Sequence, residues 1–329
     1  MLKVVKYNKI DELEKIWTNM ERDNQNLDAM ADFEFVKTFN SGITNKIKGL
    51  LKKSSAVYYV VFNGDKPVVI FSANAQSDVI ESLYTLDFYD LVTYENTSGK
   101  EIYEALLEIS KLEQKPIVLN KLKANKNTYS KLGEYVEFDD DASCVKIDYT
   151  ADYDAYYQSL TKHARQNLRT AYNRLKTDGL AYRFEFVMGK TDKKLAKKLK
   201  SLYLNRRAKK YSNMNFLKKM VYKIDEPISK VCFTLKNSFS AVLYIDEKIA
   251  CYMAGVIKSG EAIVPRLAID DRFSRYSAGV ILVNETIKEL IKKEIFTLDL
   301  AIGTETYKTQ MGGVEYKIKK CKIDANKNL

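Results

Sequence analysis

The chain has 329 residues, 46% hydrophobic and 29% charged, with 13 glycines and 4 prolines, so it can bury a sizeable core and is neither disordered nor collagen-like. A net charge of +11 suits an anionic partner such as a phosphorylated cofactor, a nucleotide-linked sugar, nucleic acid or an anionic membrane. One histidine, His163, and four widely spaced cysteines argue against a zinc site and against Ser/His/Asp or Cys/His catalysis, which need imidazole beside a nucleophile.

Lys3 and Lys6 interrupt what would be a signal-peptide core, and no apolar run approaches the ~20 residues that span a bilayer. A reduced cytoplasmic protein without a bound metal is expected. The first predicted helix opens at Asp11 and places Leu13, Ile16, Trp17 and Met20 on one face; a second opens at Asp32 and carries Phe33, Val36 and Phe39. Two β-branched and aromatic runs, 56–62 and 68–73, flank the turn Asn63-Gly64-Asp65-Lys66-Pro67 and predict a hairpin. Ser98-Gly99-Lys100-Glu101 is a capping box ahead of Ile102, Leu106 and Ile109, and 116–122 reads as a strand.

A polar, acidic stretch around Asp139, Asp140 and Asp141 precedes a second half. It starts with a long helix predicted over 153–176 and stopped by Gly179. A strand at 182–187, a Lys-rich helix at 192–210, a hairpin (241–245 and 249–257), a strand at 262–268, a helix at 278–293 and a strand at 296–300 follow. The repeated order of helices, hairpin, helix and strand predicts two α/β domains, divided at 145/146.

Between the strand at 262–268 and the helix at 278 lies a short basic loop. Ser277 is placed to cap that helix, Gly279 to let the backbone approach a ligand, and the helix amides with Arg272 and Arg275 to seat a phosphate. An ordinary capped amphipathic helix, with Val280, Val283, Ile287 and Leu290 facing a core, reads from the same residues. The long helix gathers Lys162, Arg165, Arg169 and Lys176 on one side, either a clamp for phosphates or a solvated charged face. The segment 190–223 interleaves basic residues with Tyr203, Tyr211, Phe216 and Tyr222, which suits either nucleic-acid contact or a plain basic surface.

Asp299, Tyr307 and Lys308 stand at and just past the end of a predicted strand, where open α/β sheets gather ligands. Asp299 is placed to orient or deprotonate a nucleophile, Tyr307 to donate a proton, and Lys308 to pair with an anion or with Asp299. A carboxylate bonding its own backbone and a packing tyrosine are the alternatives. Asp87 and Asp90, three apart, either pair on one face or belong to an acidic loop.

Five stretches together resemble the GNAT-fold acetyltransferases of the cellulose-biosynthesis CelD type, relatives of the Fem-type aminoacyltransferases. They are Leu86-Asp87-Phe88-Tyr89-Asp90-Leu91; Leu160 to Arg169 with Arg174-Leu175; Ser277-Ala278-Gly279; Leu298 to Gly303; and Tyr307-Lys308. The resemblance implies an α/β (α+β) fold of two tandem GNAT-like domains, each a mixed, mostly antiparallel sheet flanked by helices, over 1–145 and 146–329. It implies an acyltransferase that uses acetyl-CoA or another acyl-CoA on an amine or hydroxyl of an amino sugar or surface-polysaccharide precursor.

By that resemblance Leu267 and Ile269 offer backbone groups to the pantetheine, and Arg272, Arg275, Ser277, Ala278 and Gly279 seat the pyrophosphate. Arg165 and Arg169 hold the acceptor with Asp87 and Asp90. The pyrophosphate motif departs from the usual Arg/Gln-x-x-Gly-x-Gly/Ala, since Ala278 and Val280 stand at the last two fixed positions after Arg275. The Fem side of the resemblance implies transfer RNA as an alternative carrier of the acyl group, and a catalytically silent binding module is the other alternative.

Overall fold

A computed structural model describes residues 2–41, 55–75, 78–83, 87–210 and 227–325. Two compact units divide the chain, Met1–Ala142 with Lys317–Leu329, and Ser143–Tyr316.

The first unit opens with a strand that the sequence reading passes over, β1 (Leu2–Tyr7), which pairs antiparallel with β2 (Ser55–Asn63). Asp11 does not cap a helix as expected. It lies in a 3-10 turn, Ile10–Leu13, ahead of α1 (Glu14–Asp23), and pairs with Lys37 at 2.9 Å on α2 (Phe33–Asn40). β2 and β3 (Lys66–Ala75) form the expected hairpin, with Gly64 at φ +62 in its turn. β3 also pairs with β4 (Ile80–Ser82) and with β5 (Val92–Thr93). The capping box is present at α3 (Gly99–Glu113): the Ser98 side chain accepts from the Glu101 amide, and the Glu101 carboxylate accepts from the Ser98 amide. β6 (Ile117–Lys123) follows parallel to β4, then α4 (Asn127–Leu132).

Period-two alternation in β2 sends Tyr58 and Val60 to Trp17, Met20 and Phe33 on one face, and Tyr59 and Val61 to Ile102, Leu106 and Ile109 on the other. Trp17 donates its indole N–H to the Ala31 carbonyl at 3.0 Å, so burying it leaves no polar atom unmet. A late segment returns to this unit: Ile318 to Ile323 pair antiparallel with β6.

The acidic stretch is a strand, β7 (Asp139–Asp148), although three successive aspartates disfavour one by propensity. The predicted long helix is two helices, α5 (Tyr153–Ser159) and α6 (Lys162–Thr177). They break because Leu160 is extended and the Thr161 side chain caps the Ala164 amide. Gly179 ends α6 at φ +66, as expected. Then come β8 (Tyr182–Met188), α7 (Lys193–Lys210), α8 (Pro227–Thr234), β9 (Ser238–Ile245), β10 (Lys248–Lys258), β11 (Glu261–Ile269), α9 (Ala278–Ile291), β12 (Thr297–Ile302), α10 (Thr306–Gln310) and β13 (Val314–Ile323).

In the second unit the strands run in the order β7-β12-β11-β10-β9-β8. β11 and β12 are parallel and the other pairs antiparallel. Ala241, Leu243 and Met253 face α6 and α9, while Val242, Tyr244 and Tyr252 face Leu199 and Phe233.

Candidate active site

β11 and β12 pair over only three residues each, Glu261, Ala262 and Ile263 against Thr297, Leu298 and Asp299. Beyond them β11 runs to Ile269 paired with β10 alone, and β12 runs to Ile302 against β7, with no pairing between β11 and β12 among the described residues, so these two strands part and one edge of β11 lies open.

Each strand has its own cause for parting. On β11, Ala254 faces Arg266 while Val256 faces Ile263, so Val264 and Pro265 both stand against Gly255 as a bulge. A Cβ on Gly255 would lie 1.7 Å from the Ile263 carbonyl oxygen, so only glycine fits beneath the bulge. Pro265 in addition brings no N–H to the ladder. On β12 the backbone turns left-handed at Ala301 (φ +54) and again at Gly303 (φ +111).

Two buried charges absorb that distortion. Asp299, fully buried, accepts the Ala301 amide at 2.8 Å and the Tyr316 hydroxyl at 2.5 Å. Lys308, only 3% exposed, donates to the carbonyls of Leu300, Ile302 and Gly303 at 2.9, 3.2 and 3.0 Å, and pairs with Glu305 at 3.0 Å. These groups meet backbone polar atoms that a regular ladder would have paired. Burial works against ionisation of Glu305, but the Lys308 hydrogen bond and the charges of Lys308 and Arg206 bring its carboxyl below the usual range.

Tyr307, on α10 between these groups, is half-buried. Burial raises its hydroxyl well above the ordinary tyrosine value, with the Glu305 carboxylate adding to the shift and Arg206 opposing it. Burial raises the nearby Cys251 thiol well above the ordinary cysteine value and keeps it neutral. It lies opposite Ile269 in the ladder and donates to the Ala278 carbonyl at 3.2 Å, at the start of α9.

Ser277 does not cap α9. Its backbone is left-handed (φ +50) and its side chain makes no capping bond, because caps act from extended backbone. Val280 and Ile281 both donate to the Ser277 carbonyl, at 2.9 and 3.4 Å, which leaves the amides of Ala278 and Gly279 without an acceptor inside the helix. A Cβ on Gly279 would meet Ile269 Cδ1 at 2.8 Å, so this glycine lets the helix start against the end of β11. Leu267 and Ile269 lie on the open reach of β11.

Both loop guanidiniums are exposed and paired. Arg272 holds Asp270 at 2.6 Å, and Arg275 holds Asp178 at 3.3 Å. Tyr276 donates to Asp178 at 2.8 Å and Arg174 donates to the Arg275 carbonyl at 2.8 Å, which ties the loop to the end of α6.

Arg165 donates to the Gln158 and Leu160 carbonyls at 2.7 and 2.6 Å and so closes α5. Arg169 is exposed beside Gln166. His163 is exposed and bonds Asn167 at 3.2 Å. Asp87, half-buried, and Asp90 belong to the first unit. Asp90 is 3% exposed and accepts from the amides of Asp28 and Thr128, at 3.2 and 2.9 Å, which suits a fold-holding carboxylate better than an open one. Of the basic segment, Lys193, Lys194, Lys197 and Lys198 are exposed on α7, whereas Tyr211, Phe216 and Tyr222 lie outside the described residues. Tyr203 carries the Arg266 guanidinium 4.7 Å from its ring centroid.

Sequence reasoning missed Gly255, Pro265 and Tyr316. A proline inside a β-branched run was the available sign of the bulge. Among the described residues, no group of three or more His, Cys, Asp or Glu is placed to hold a metal, and no helix is long and apolar enough to cross a membrane.

Residues 162–309 match the family model described as acetyltransferase (GNAT) domain. Among solved structures, the chain is similar to FemX (10% identity, 99% of this chain and 98% of that one, TM-score 0.60). It is also similar to a protein described as the C-terminal domain of a lysylphosphatidylglycerol synthetase from Agrobacterium fabrum (11% identity, 96% and 93% covered, TM-score 0.60). A tandem GNAT protein from the clavulanic acid biosynthesis pathway is similar at 9% identity, with 99% of both chains covered and a TM-score of 0.51. At such identities the likeness is one of fold. A search of curated proteins found no match. Residues 162–309, which hold the parted strands and the start of α9, are similar to acetyltransferase (GNAT) domains, and the chain has a tandem GNAT-like α/β fold.

Proposed function

We propose that the chain is an acyltransferase that moves an acetyl or other acyl group from acyl-CoA to an amine or hydroxyl of an amino sugar or surface-polysaccharide precursor. The second unit is the catalytic one. The observation that carries this reading is the open edge of β11 leading to the two unanswered amides at the start of α9, all within the matched 162–309. The CelD-type resemblance favours the polysaccharide-precursor acceptor.

The residues fit such a donor. Leu267 and Ile269 offer backbone groups to the pantetheine, and Ala278 and Gly279 offer amides to the pyrophosphate with Arg272 and Arg275 beside them. Exposed ion pairs of the Arg272–Asp270 kind are worth about 0–1 kcal/mol, so a phosphate can displace the carboxylates. The donor supplies a thioester-activated acyl group. Tyr307 keeps its proton at neutral pH and is the group that returns one to a leaving thiolate. Asp299 and Lys308 are positioning residues that hold β12 away from β11, and Arg169 is the exposed acceptor contact.

A thermal-shift titration with acetyl-CoA, CoA and longer acyl-CoAs tests the reading. A ligand at 100 times its Kd adds ~2.7 kcal/mol of stability. The donor response is expected for the wild type and lost in Arg275→Glu; no response to any of these ligands refutes the proposal. Tyr307→Phe is expected to lower kcat about a hundredfold with KM for the donor unchanged.

A second reading, an aminoacyl group carried by transfer RNA, is favoured by the four exposed lysines on α7 and by the fold likeness to FemX. It predicts tight RNA binding that weakens steeply with salt in a filter-binding titration.

A further inference from the structure

The last turns of α7 overhang the place where β11 and β12 part. Leu195, Leu199, Leu202 and Tyr203 turn to the sheet and pack with the core around Phe233 and Tyr252, on the face away from α6 and α9. Tyr203 stacks near the Arg266 guanidinium, 4.7 Å from its ring centroid, which puts this turn over β11 beyond Ile263, where the strand has lost β12. Arg206 follows Leu199 by seven residues, Leu202 by four and Tyr203 by three, so it continues the row that faces the sheet. Unlike the rest of that row it is exposed, whereas Lys193, Lys194, Lys197 and Lys198 lie on the outward side of the helix.

Arg206 is close to the candidate proton donor. Burial has the largest influence on the ionisation of Glu305 and of Tyr307, and on each the Arg206 charge acts as well, favouring the carboxylate and the phenolate. Tyr307 packs with the core that faces α6 and α9, so a charge on α7 acts on it across the gap between the parted strands. The Glu305 carboxylate does not take the guanidinium. It lies over Gly303, where a Cβ would be 2.7 Å from Oε2, and Lys308 holds it at 3.0 Å. Among the described residues Arg206 makes no ion pair and no hydrogen bond. A guanidinium so placed offers its fork to a phosphate or carboxylate from outside the chain. The donor phosphates have their own cations, Arg272 and Arg275, beside the start of α9 on the opposite face of the sheet.

We propose that Arg206 is a specificity-determining contact for the acyl acceptor, and that this acceptor is an amine bearing an anionic group, a phosphate or a carboxylate. Its reacting end enters from the α7 face, with the anion on Arg206 and the amine at Tyr307, while the acyl-CoA lies along β11 from the α9 face. The inference rests on the acyltransferase reading and adds to it the charge that the acceptor carries.

Isothermal titration of the CoA-saturated full chain with glucosamine 6-phosphate, glucosaminic acid and glucosamine tests the contact, since the first amine carries a phosphate, the second a carboxylate and the third neither. At least one anionic amine is expected to bind at least tenfold more tightly than glucosamine, and the one that does identifies the anion. Arg206→Gln is expected to abolish the difference and Arg206→Lys to keep part of it, because an ammonium retains the charge without the fork. Lys248→Gln, which removes one exposed charge elsewhere in the same unit, is expected to keep all of it. No binding by either anionic amine, equal affinity for all three, a preference that survives in folded Arg206→Gln, or one that Lys248→Gln lowers as much, overturns the proposal. The affinity for CoA is expected to be the same in the wild type and the variants. Absence of CoA binding to the wild type refutes the donor reading instead, and the same titrations without CoA then report on Arg206 alone.

Discussion

In both units a parallel pair of strands begins side by side and then separates, but the two openings are treated differently. In the first unit the edge that β4 leaves on β6 is taken by the chain itself: Tyr89 bridges to Leu122 in parallel and its amide donates to the Lys121 carbonyl at 2.9 Å. In the second, no strand among the described residues takes the edge of β11 beyond Ile263. The following helices differ in the same sense. The capping box of α3 places the Glu101 carboxylate of the chain at its N-terminus, where an anion would otherwise sit, while α9 begins at a left-handed serine that caps nothing. One topology thus yields a closed unit with a small polar cavity and an open unit with a groove and an uncapped helix start. Tandem likeness alone does not double the open groove; the local chain path decides.

The largest effect is expected where the open groove depends on an atom that is not there. Gly255→Ala would drive a methyl into the Ile263 backbone carbonyl, which cannot rotate away, and the bulge would have to flatten. A loss of more than about 3 kcal/mol in chemical denaturation is expected, together with loss of the acetyl-CoA response. Retention of both would show that the bulge is not what parts the strands. Next comes Lys308→Met, which strips the ammonium from three carbonyls and leaves Glu305 without its partner. About 2–3 kcal/mol of destabilisation is expected, with donor binding weakened more than tenfold.

The first unit offers a pH test that the groove should not feel. Burial raises Asp90 to about 6 from 3.8, the Asp28 carboxylate adding to the shift and the Thr128 hydrogen bonds opposing it. The folded state then binds this proton more tightly than the unfolded one, so stability is greatest below about 3.8 and falls as pH rises towards about 6. Asp90→Asn is expected to remove a fall on the order of 2 kcal/mol across that window, read as the difference between the two proteins in urea unfolding at several pH values. An identical slope in both would mean that Asp90 does not titrate there.

What the sequence announces is local. Asn63-Gly64, the Ser98 box, Gly179 and the hairpin of 241–245 with 249–257 each state their element through neighbours a few residues away, and each element is present. Leu2 to Tyr7 and Val314 to Ile323 are Lys-interrupted runs whose partners lie far along the chain, so neither shows as a strand in isolation. The same holds for the site. Asp299 and Lys308 stand out in the sequence as charges at a strand end, yet that they serve the backbone of β12 follows from two positive φ values that no spacing encodes. Ser277 is the sharpest case, since its residue type fits a cap and its backbone forbids one.

That last contrast yields the smallest effects and the cleanest reading of the two helix starts. Ser98→Ala should cost about 1 kcal/mol, because the side chain meets an orphan amide. Ser277→Ala should cost close to nothing by loss of capping, because no capping bond exists to lose. Ser277→Gly should stabilise by about 0.5–1 kcal/mol, since glycine holds φ +50 without the steric penalty of a Cβ. A loss in Ser277→Ala as large as that in Ser98→Ala would show that α9 is capped in solution as α3 is, and the uncapped helix start on which the proposed donor seat rests would be gone.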